Sequence, residues 1–222
     1  LSTTGSTDIT DNDATTVSIS ASDAAADESG LDAGTFTGTL DGGITNGTGS
    51  AITVTYAMSG TAVEGTDYAS VGTTFTIADG ATSGTVTITP LADDTVENSE
   101  TVILTASGTD NGNVTIGTSN DTVNLANEDT AGFTLSPGTL ALTEGGSSST
   151  LSVVLTAQPE TDVVIDVSTD DVGAATVDAG STTALTFTNA NWNSAQTVTI
   201  AAVADVDGTD ETPTITASAV SY

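Results

Sequence analysis

Apolar and polar residues alternate with a period of two along most of the chain, in short runs separated by Gly, Asn and Asp. This alternation is typical of half-buried β-strands, and the residues between the runs are typical of turns. The pattern predicts no helix. It predicts six clear strands in the first half, over residues 17–20, 35–40, 52–58, 73–77, 85–89 and 101–106. Six more follow over residues 133–135, 150–156, 162–168, 184–188, 196–201 and 214–217.

The number and spacing of these strands predict an all-β fold of two tandem antiparallel β-sandwich domains of Ig-like type. With 222 residues, the chain is long enough for two cores, since a sandwich domain needs about 100 residues. Aromatic residues make up only 4% of the chain. The cores must therefore consist mainly of small side chains.

An internal repeat gives the length of one domain. The sequence ITDNDATTVSI from residue 9 parallels LANEDTAGFTL from residue 125. A second pair is TFTIADGATSGTVTITPLADD from residue 74 and TFTNANWNSAQTVTIAAVAD from residue 186. We therefore predict the last strand and linker of a preceding repeat at 1–13, a first sandwich at 14–129 and a second at 130–222.

The second sandwich is expected to lack its final strand. The first domain continues for 29 residues from Glu100 to Asp129, whereas only 11 residues follow Glu211. Either the sequence is a window of a longer chain, or the N-terminal strand of one copy completes the second domain of a neighbour. The second arrangement would build head-to-tail filaments. From the sequence alone we favour the first explanation.

All charged side chains are negative: the chain has 30 Asp and Glu, and no Lys, Arg or His. Nucleic acids and anionic membranes are recognised through basic side chains, so both are excluded as partners. No apolar run approaches the 18 residues of a membrane span. Bound cations would relieve the repulsion between carboxylates. Solubility or adaptation to high salt would also explain an acidic surface, but neither explains local acidic clusters.

Enzymatic catalysis is not expected. Without His, Cys, Lys or Arg, the chain offers no catalytic triad, thiolate nucleophile, Schiff-base amine or cationic oxyanion donor. Carboxylate chemistry remains, but glycosidases place two carboxylates across a substrate cleft. The acids of this chain fall instead in turn clusters.

The first domain carries acidic residues in several predicted loops. Ca²⁺ takes six to eight oxygen ligands, often from carboxylates and carbonyls of irregular loops. Ordinary solvated turns are the alternative interpretation, because Asp and Asn favour turns. The candidate calcium ligands of this domain are Glu28, Asp67, Asp93, Asp94, Glu97, Glu100 and Asp129.

The second domain repeats the acidic pattern at Glu144, Asp170, Asp171, Asp205, Asp207, Asp210 and Glu211. Its stretch DVDGTDE lacks the spacing of an EF-hand and the Glu that closes that loop, so an EF-hand is rejected. A different calcium loop and a plain acidic turn both remain open. The candidate ligands are Glu144, Asp171, Asp205, Asp207 and Asp210.

These motifs resemble a known family. GTDY at 65–68, ENSETVILTAS from residue 97 and LANED from residue 125 are similar to Calx-beta domains over most of the first domain. In the second domain, ALTEGG, LTFTNANWNSAQTVTI and DVDGTDE are similar to Calx-beta-like repeats of giant bacterial calcium-binding surface proteins and adhesins.

In Calx-beta domains, acidic loops and the exit linker bind calcium at one end of the sandwich. The resemblance therefore implies calcium ligation by Glu28, Asp67, Asp93, Asp94, Glu97 and Asp129. Two features depart from the family. Asn127 stands where an Asp is usual, and the second domain has no GTDY.

The resulting hypothesis is a calcium-stabilised structural or extender repeat of a secreted, extracellular bacterial surface protein. Its cofactor would be Ca²⁺. Its partners would be neighbouring repeats of the same chain, and the parent could be an adhesin stalk, a surface layer or a self-associated filament.

The alternative function is a carbohydrate- or ligand-binding module with Trp192 as the sugar platform. Packing of Trp192 against the sandwich edge is the simpler interpretation of that residue. Asn46, Asn113 and Asn120 stand in N-x-S/T triplets, which suit a glycosylated exterior but also arise by chance in a Thr-rich chain.

Overall fold

The computed structural model describes residue 4 and residues 14–206 and 208–221. This part of the chain is nearly all strand, with two three-residue 3₁₀ turns, Ser29–Leu31 and Asp41–Gly43. Nine strands precede residue 130: β1 (Thr15–Asp23), β2 (Ala25–Asp27), β3 (Gly34–Leu40), β4 (Ile52–Gly60), β5 (Thr74–Ile77), β6 (Ser83–Ile88), β7 (Glu100–Thr109), β8 (Val114–Ile116) and β9 (Asn120–Ala126). Seven follow: β10 (Phe133–Ser136), β11 (Ser149–Leu155), β12 (Val163–Thr169), β13 (Ala175–Val177), β14 (Thr182–Phe187), β15 (Gln196–Ala202) and β16 (Ile215–Ser221).

The all-β prediction is confirmed, and each of the twelve predicted strands has a counterpart in the structure. Four observed strands were not among those twelve. Strands β2, β8 and β13 have three residues each, too few to show a periodicity. Strand β9 has the sequence NDTVNLA, in which Asn and Asp weaken the β signal. The strand predicted within 1–13 lies outside the described residues.

Contacts divide the chain into two compact units. Unit 1 consists of Leu1–Asp93 and Asn98–Glu128, and unit 2 of Asp94–Glu97 and Asp129–Tyr222. The domain boundaries read from the repeat stay predictions. Among the described residues, no helix has the length and apolar character needed to cross a bilayer.

Unit 1 has two sheets, with strand orders β6-β3-β1-β8 and β2-β9-β7-β4-β5. Most neighbours are antiparallel, but β1 pairs with β8 and β2 pairs with β9 in parallel. The chain thus leaves the first sheet after β1 and joins the second through β2. Alternate residues of each strand face inward and form a core that includes Val17, Phe36, Tyr56, Leu104 and Leu125.

Strand β9 covers the inner face of the opposite sheet in unit 1. It contacts β1 and β3, and its residue Val123 lies directly over Gly34 of β3. A Cβ atom at Gly34 would come within 2.5 Å of Val123 Cγ1. Glycine at this position therefore allows β9 to approach the opposite sheet closely.

Unit 2 has a four-stranded sheet, β10-β11-β15-β13, and a three-stranded sheet, β14-β12-β16. All their strand pairs are antiparallel. The core includes Leu151, Val153, Ile165, Phe187 and Ile200, and Trp192 packs against it. In the described part of unit 2, β16 is an edge strand, with β12 as its neighbour on one side.

Candidate metal centre

The GTDY motif forms a tight loop between β4 and β5 that directs Asp67 inward. Gly65 has φ +87°, a conformation that glycine adopts without strain. The N–H of Gly65 donates to the carbonyl of Tyr68 at 2.8 Å, and the N–H of Asp67 donates to that of Val63 at 3.0 Å. Tyr68 is fully buried and anchors the loop in the core. The local sequence thus fixes the Asp67 backbone before any ligand is considered.

The Asp67 carboxylate is only 5% exposed. Its Oδ2 accepts a hydrogen bond from the N–H of Val63 at 2.6 Å. Burial, with the nearby negative charges of Glu64 and Asp67, raises the pKa of the Tyr68 hydroxyl. The loop therefore holds the Asp67 carboxylate out of water, and the N–H of Val63 in the same loop donates a hydrogen bond to it.

Asp67 and Glu100 each offer a carboxylate oxygen, and these two oxygens lie within 4.8 Å of each other. Calcium binds oxygens at about 2.3–2.6 Å, so two ligands of one ion lie at most about 5 Å apart. The separation fits a shared Ca²⁺. The pair combines a buried side chain with a half-buried one.

Glu28 is the other buried carboxylate of unit 1, at 4% exposure. It lies at the exit of β9, where its N–H donates to the carbonyl of Ala126 at 3.2 Å. The side-chain amide of Asn127 donates to Glu28 Oε2 at 3.4 Å. The amide that stands in place of the usual Asp can therefore hydrogen-bond to Glu28, whereas a second carboxylate there would repel it.

The second group lies in unit 2 and consists of Glu144, Asp205 and Glu211, with carboxylate oxygens again within 4.8 Å of one another. Glu144 is in a turn closed by a hydrogen bond from Gly146 N–H to Thr143 O at 2.9 Å. Asp205 follows β15, and Glu211 precedes β16. All three side chains are exposed. Two loops that are distant in sequence, one before β11 and one between β15 and β16, thus supply the three carboxylates.

The structure brings together four of the predicted ligands, Asp67 with Glu100 and Glu144 with Asp205, and adds Glu211. Glu211 belonged to the acidic pattern but not to the candidate ligands, because sequence does not show which of the adjacent Asp210 and Glu211 side chains faces the group. Glu97 lies in a segment that belongs to unit 2, and the remaining described candidates, Glu28, Asp93, Asp94, Asp129, Asp171 and Asp210, belong to neither group. Asp207 lies outside the described residues.

The structure shows what surrounds the carboxylates of two of these remaining residues, Asp171 and Asp129. Asp171 Oδ1 accepts a hydrogen bond from Gly173 N–H at 2.8 Å, as a turn-forming Asp does. One carboxylate oxygen of Asp129 is shielded from solvent. Asp171 thus fits the plain-turn alternative, whereas Asp129 is partly withdrawn from water.

Three further acidic residues stabilise strands in unit 1. Asp121 accepts hydrogen bonds from Ala21 N–H and Thr122 N–H, both at 2.8 Å. These two backbone donors lower the pKa of Asp121. The N–H of Thr53 lowers the pKa of Asp110, and the hydroxyls of Thr16 and Ser18 lower that of Asp41. These carboxylates already have protein donors and do not require an ion.

Trp192, the candidate sugar platform, and Asn46, a candidate glycosylation site, both pack within the fold. Trp192 is half-buried and packs against the core of unit 2, which agrees with the packing interpretation. Asn46 is 2% exposed, and its side-chain nitrogen donates to Ser50 O at 2.8 Å and Ile77 O at 2.9 Å. This nitrogen is therefore not accessible to a glycan in the folded chain.

No protein-family model and no curated protein matches the chain. Among solved structures, CBD12 from CALX1.2 is 18% identical, with a TM-score of 0.44, over 86% of this chain and 76% of that one. The apo-form Calx CBD1 domain is also 18% identical, with a TM-score of 0.44, over 53% of this chain and all of that one. Adhesin InvE of Yersinia pseudotuberculosis is 17% identical, with a TM-score of 0.33, over 84% of this chain and 51% of that one. At these values the chain is similar to these proteins without being assigned to a family.

Proposed function

We propose that this chain is a calcium-stabilised structural module of an extracellular surface protein. The proposal is carried by one observation: Asp67 is buried beside Glu100 in a chain that has no Lys, Arg or His. Two carboxylates about 4 Å apart repel by roughly 4 kcal/mol at an effective dielectric near 20. Because the chain has no positively charged side chain, a bound cation would offset this repulsion.

Calcium fits this place better than magnesium does. The two carboxylates come from the loop 63–68 and from the start of β7, so the ligand set is irregular. Ca²⁺ accepts six to eight oxygens in flexible geometry, whereas Mg²⁺ demands a near-ideal octahedron at about 2.0–2.1 Å. An ion here would join the loop between β4 and β5 to the first residue of β7. It would thereby hold together two segments of the same unit.

The exposure of the second group supports an extracellular role. Glu144, Asp205 and Glu211 are all exposed, so water competes with any ion that they bind. Extracellular calcium modules have dissociation constants of about 10⁻⁴–10⁻³ M. Such affinity matches the millimolar calcium concentration outside cells. In that environment, the module would keep a surface protein stiff and display what the rest of that protein carries.

The test is unfolding of the whole chain by denaturant in excess chelator, in calcium and in magnesium. Near-ultraviolet circular dichroism of the buried Tyr56 and Tyr68 reports unit 1, and fluorescence of Trp192, the only Trp, reports unit 2. At 100 times its dissociation constant, calcium should raise the free energy of unfolding of unit 1 by about 2.7 kcal/mol. Magnesium should have a smaller effect.

Matched variants locate the ion. Asp67→Asn keeps an oxygen that can accept the Val63 hydrogen bond but removes the charge, so it should abolish most of the calcium-dependent stabilisation of unit 1. Asp32→Asn removes one exposed charge from the same unit and should leave that stabilisation unchanged. In unit 2, Glu144→Gln and the exposed Glu160→Gln form the corresponding pair.

Two results would contradict the proposal. One is an equal stabilisation by calcium and magnesium, which would indicate simple charge screening. The other is an Asp67→Asn variant that responds to calcium as Asp32→Asn does. Titration calorimetry of the unmodified chain gives the number of ions independently of unfolding.

A further inference from the structure

The chain contains two Asn-Gly dipeptides, Asn46-Gly47 and Asn111-Gly112, and both lie between strands of unit 1. In such a dipeptide, the backbone nitrogen of the glycine can attack the side-chain carbonyl carbon of the asparagine, because glycine has no Cβ that would shield it. The attack closes a succinimide ring and releases the amide nitrogen as ammonia. Water then adds to the ring and opens it, which leaves aspartate or isoaspartate.

The loop before β4 protects Asn46 from this reaction. Its side chain is 2% exposed, and its Nδ2 donates to Ser50 O at 2.8 Å and to Ile77 O at 2.9 Å. Its Oδ1 accepts hydrogen bonds from the N–H of Thr48 at 3.1 Å and from the hydroxyl of Thr48 at 2.8 Å. Ring closure would break both hydrogen bonds of Nδ2 and release ammonia into a buried site. Asn46 should therefore react only after this loop has opened.

The turn between β7 and β8 leaves Asn111 more open. Asn111 is half-buried and Gly112 is exposed. A Cβ at Gly112 would meet no atom from beyond the neighbouring residues within 4 Å. The hydrogen bond that the structure gives to the Asn111 side chain runs from Asn113 N–H to Oδ1 at 2.9 Å. A donor at this oxygen stabilises the negative charge that develops there as the ring closes, so this contact does not oppose the reaction.

The backbone of the same turn is held by hydrogen bonds that do not involve the reacting atoms. The N–H of Val114 and the hydroxyl of Thr109 both donate to Asn111 O, at 3.1 Å and 2.9 Å. The N–H of Asn111 donates to Thr109 Oγ1 at 3.3 Å. Ring closure joins Cγ of Asn111 to the nitrogen of Gly112, so it does not require that these hydrogen bonds break first.

We propose that Asn111 is a site of spontaneous deamidation in the folded protein, and that the fold protects Asn46 from the same reaction. The product carries one more negative charge beside Asp110, whose carboxylate accepts a hydrogen bond from Thr53 N–H at 2.8 Å. Isoaspartate also adds one carbon atom to the main chain just before β8, which pairs in parallel with β1. The modification therefore acts where β8 joins the first sheet of unit 1. Its co-reactant is water, so it does not depend on the calcium proposal.

The experiment follows both asparagines while the full chain is incubated at mildly alkaline pH, with and without denaturant. Because the chain has no Lys or Arg for trypsin, samples are digested with pepsin, and mass spectrometry measures the conversion of each amide to a carboxylate. In the folded chain, Asn111 should convert at least about tenfold faster than Asn46, which corresponds to an opening free energy of about 1.4 kcal/mol or more for the Asn46 loop. In denaturant, the two rates should be similar.

Two glycine variants form a matched pair, because a Cβ at either Gly112 or Gly47 would meet no atom from beyond the neighbouring residues within 4 Å. Gly112→Ala should slow the conversion of Asn111 severalfold, since the added methyl group shields the attacking nitrogen. Gly47→Ala should leave the conversion of Asn111 unchanged. Anion-exchange chromatography of the folded chain should show the same difference between the variants, because the product carries an additional negative charge.

Three results would overturn the proposal. One is an Asn111 that keeps its amide in the folded chain. Another is an equal rate of conversion for Asn46 and Asn111 in the folded chain, which would mean that the buried hydrogen bonds of Asn46 give no protection. The third is a conversion of Asn111 that Gly112→Ala does not slow relative to Gly47→Ala.

Discussion

The two units share a core sheet arrangement and differ in how that arrangement is closed. In unit 1, the order β5-β4-β7 continues through β9 to β2, whereas in the described part of unit 2 the order β14-β12-β16 stops at β16. The same difference appears in side chains: Ile19 is buried and Leu135 is not. One strand therefore decides whether the inner face of the opposite sheet is dry.

The two units also differ in the burial of equivalent carboxylates. Glu28 lies under the exit of β9 and is buried, whereas Glu144 has no such cover and is exposed. A carboxylate withdrawn from water in a chain without side-chain cations is costly, and a bound ion offsets more of that cost than it does at the surface. In unit 1, the side-chain amide of Asn127 at the exit of β9 donates to this buried carboxylate.

The largest predicted effect is the difference between Ile19→Ala and Leu135→Ala in the loss of unfolding free energy. Truncating Ile19 removes buried methyl groups and leaves a cavity, which costs about 2–5 kcal/mol. Truncating Leu135, which is 36% exposed, should cost well under half of that in a monomeric sample. Denaturant unfolding, with tyrosine signals for unit 1 and Trp192 fluorescence for unit 2, measures both. Equal costs would mean that Leu135 is covered in solution.

A smaller effect is expected for Asn46→Ala in unit 1. The Asn46 side chain donates to Ser50 O and Ile77 O and accepts from Thr48 N–H at 3.1 Å. Its removal leaves buried carbonyls without donors, which costs about 1–3 kcal/mol. The tyrosine signal should shift while the Trp192 transition stays unchanged. A shift of the Trp192 transition alone would contradict this assignment of the loop to unit 1.

The smallest predicted effect is a pH-dependent loss of stability of unit 1 in the Asp121→Asn variant. Because the pKa of Asp121 is lowered in the folded chain from its usual 3.8, its ionised form stabilises unit 1 above about pH 4, and this contribution is lost as the pH falls through the lowered value. The carboxylate is exposed, so the contribution should stay below about 1 kcal/mol.

The measurement is the difference in unfolding free energy between the unmodified chain and Asp121→Asn, from pH 7 to pH 2 in excess chelator. The difference should be constant near neutrality and should shrink below pH 4. Asp32→Asn, which also removes one negative charge from unit 1, serves as the control. A difference that grows as the pH falls would show that the sign is wrong.

The sequence predicted the strands well because period-two alternation reports one buried face, as in β3, whose buried and half-buried residues alternate throughout. It did not single out β9, because an Asn- and Asp-rich strand depends on cross-strand contacts rather than on propensity. Asp67 was among the candidate ligands because it lies in a predicted loop, in the GTDY motif that resembles Calx-beta domains. Glu211 was passed over for Asp210, since adjacent loop carboxylates show no periodicity and only the backbone path decides which one faces Glu144. Asn46 matched a glycosylation triplet, yet its side chain forms the centre of a loop.

The parallel pairings of unit 1 have a mechanical consequence. Strand β2 lies near the start of the unit and β9 near its end, and they pair side by side in the same direction through Ala25, Ala26 and Asp27. Tension along the chain would pull these two strands in opposite directions. Their hydrogen bonds would then be loaded together in shear rather than broken one after another. The same holds for β1 and β8. Under such tension, the resistance of unit 1 to stretching would depend on where the chain enters and leaves the sheets.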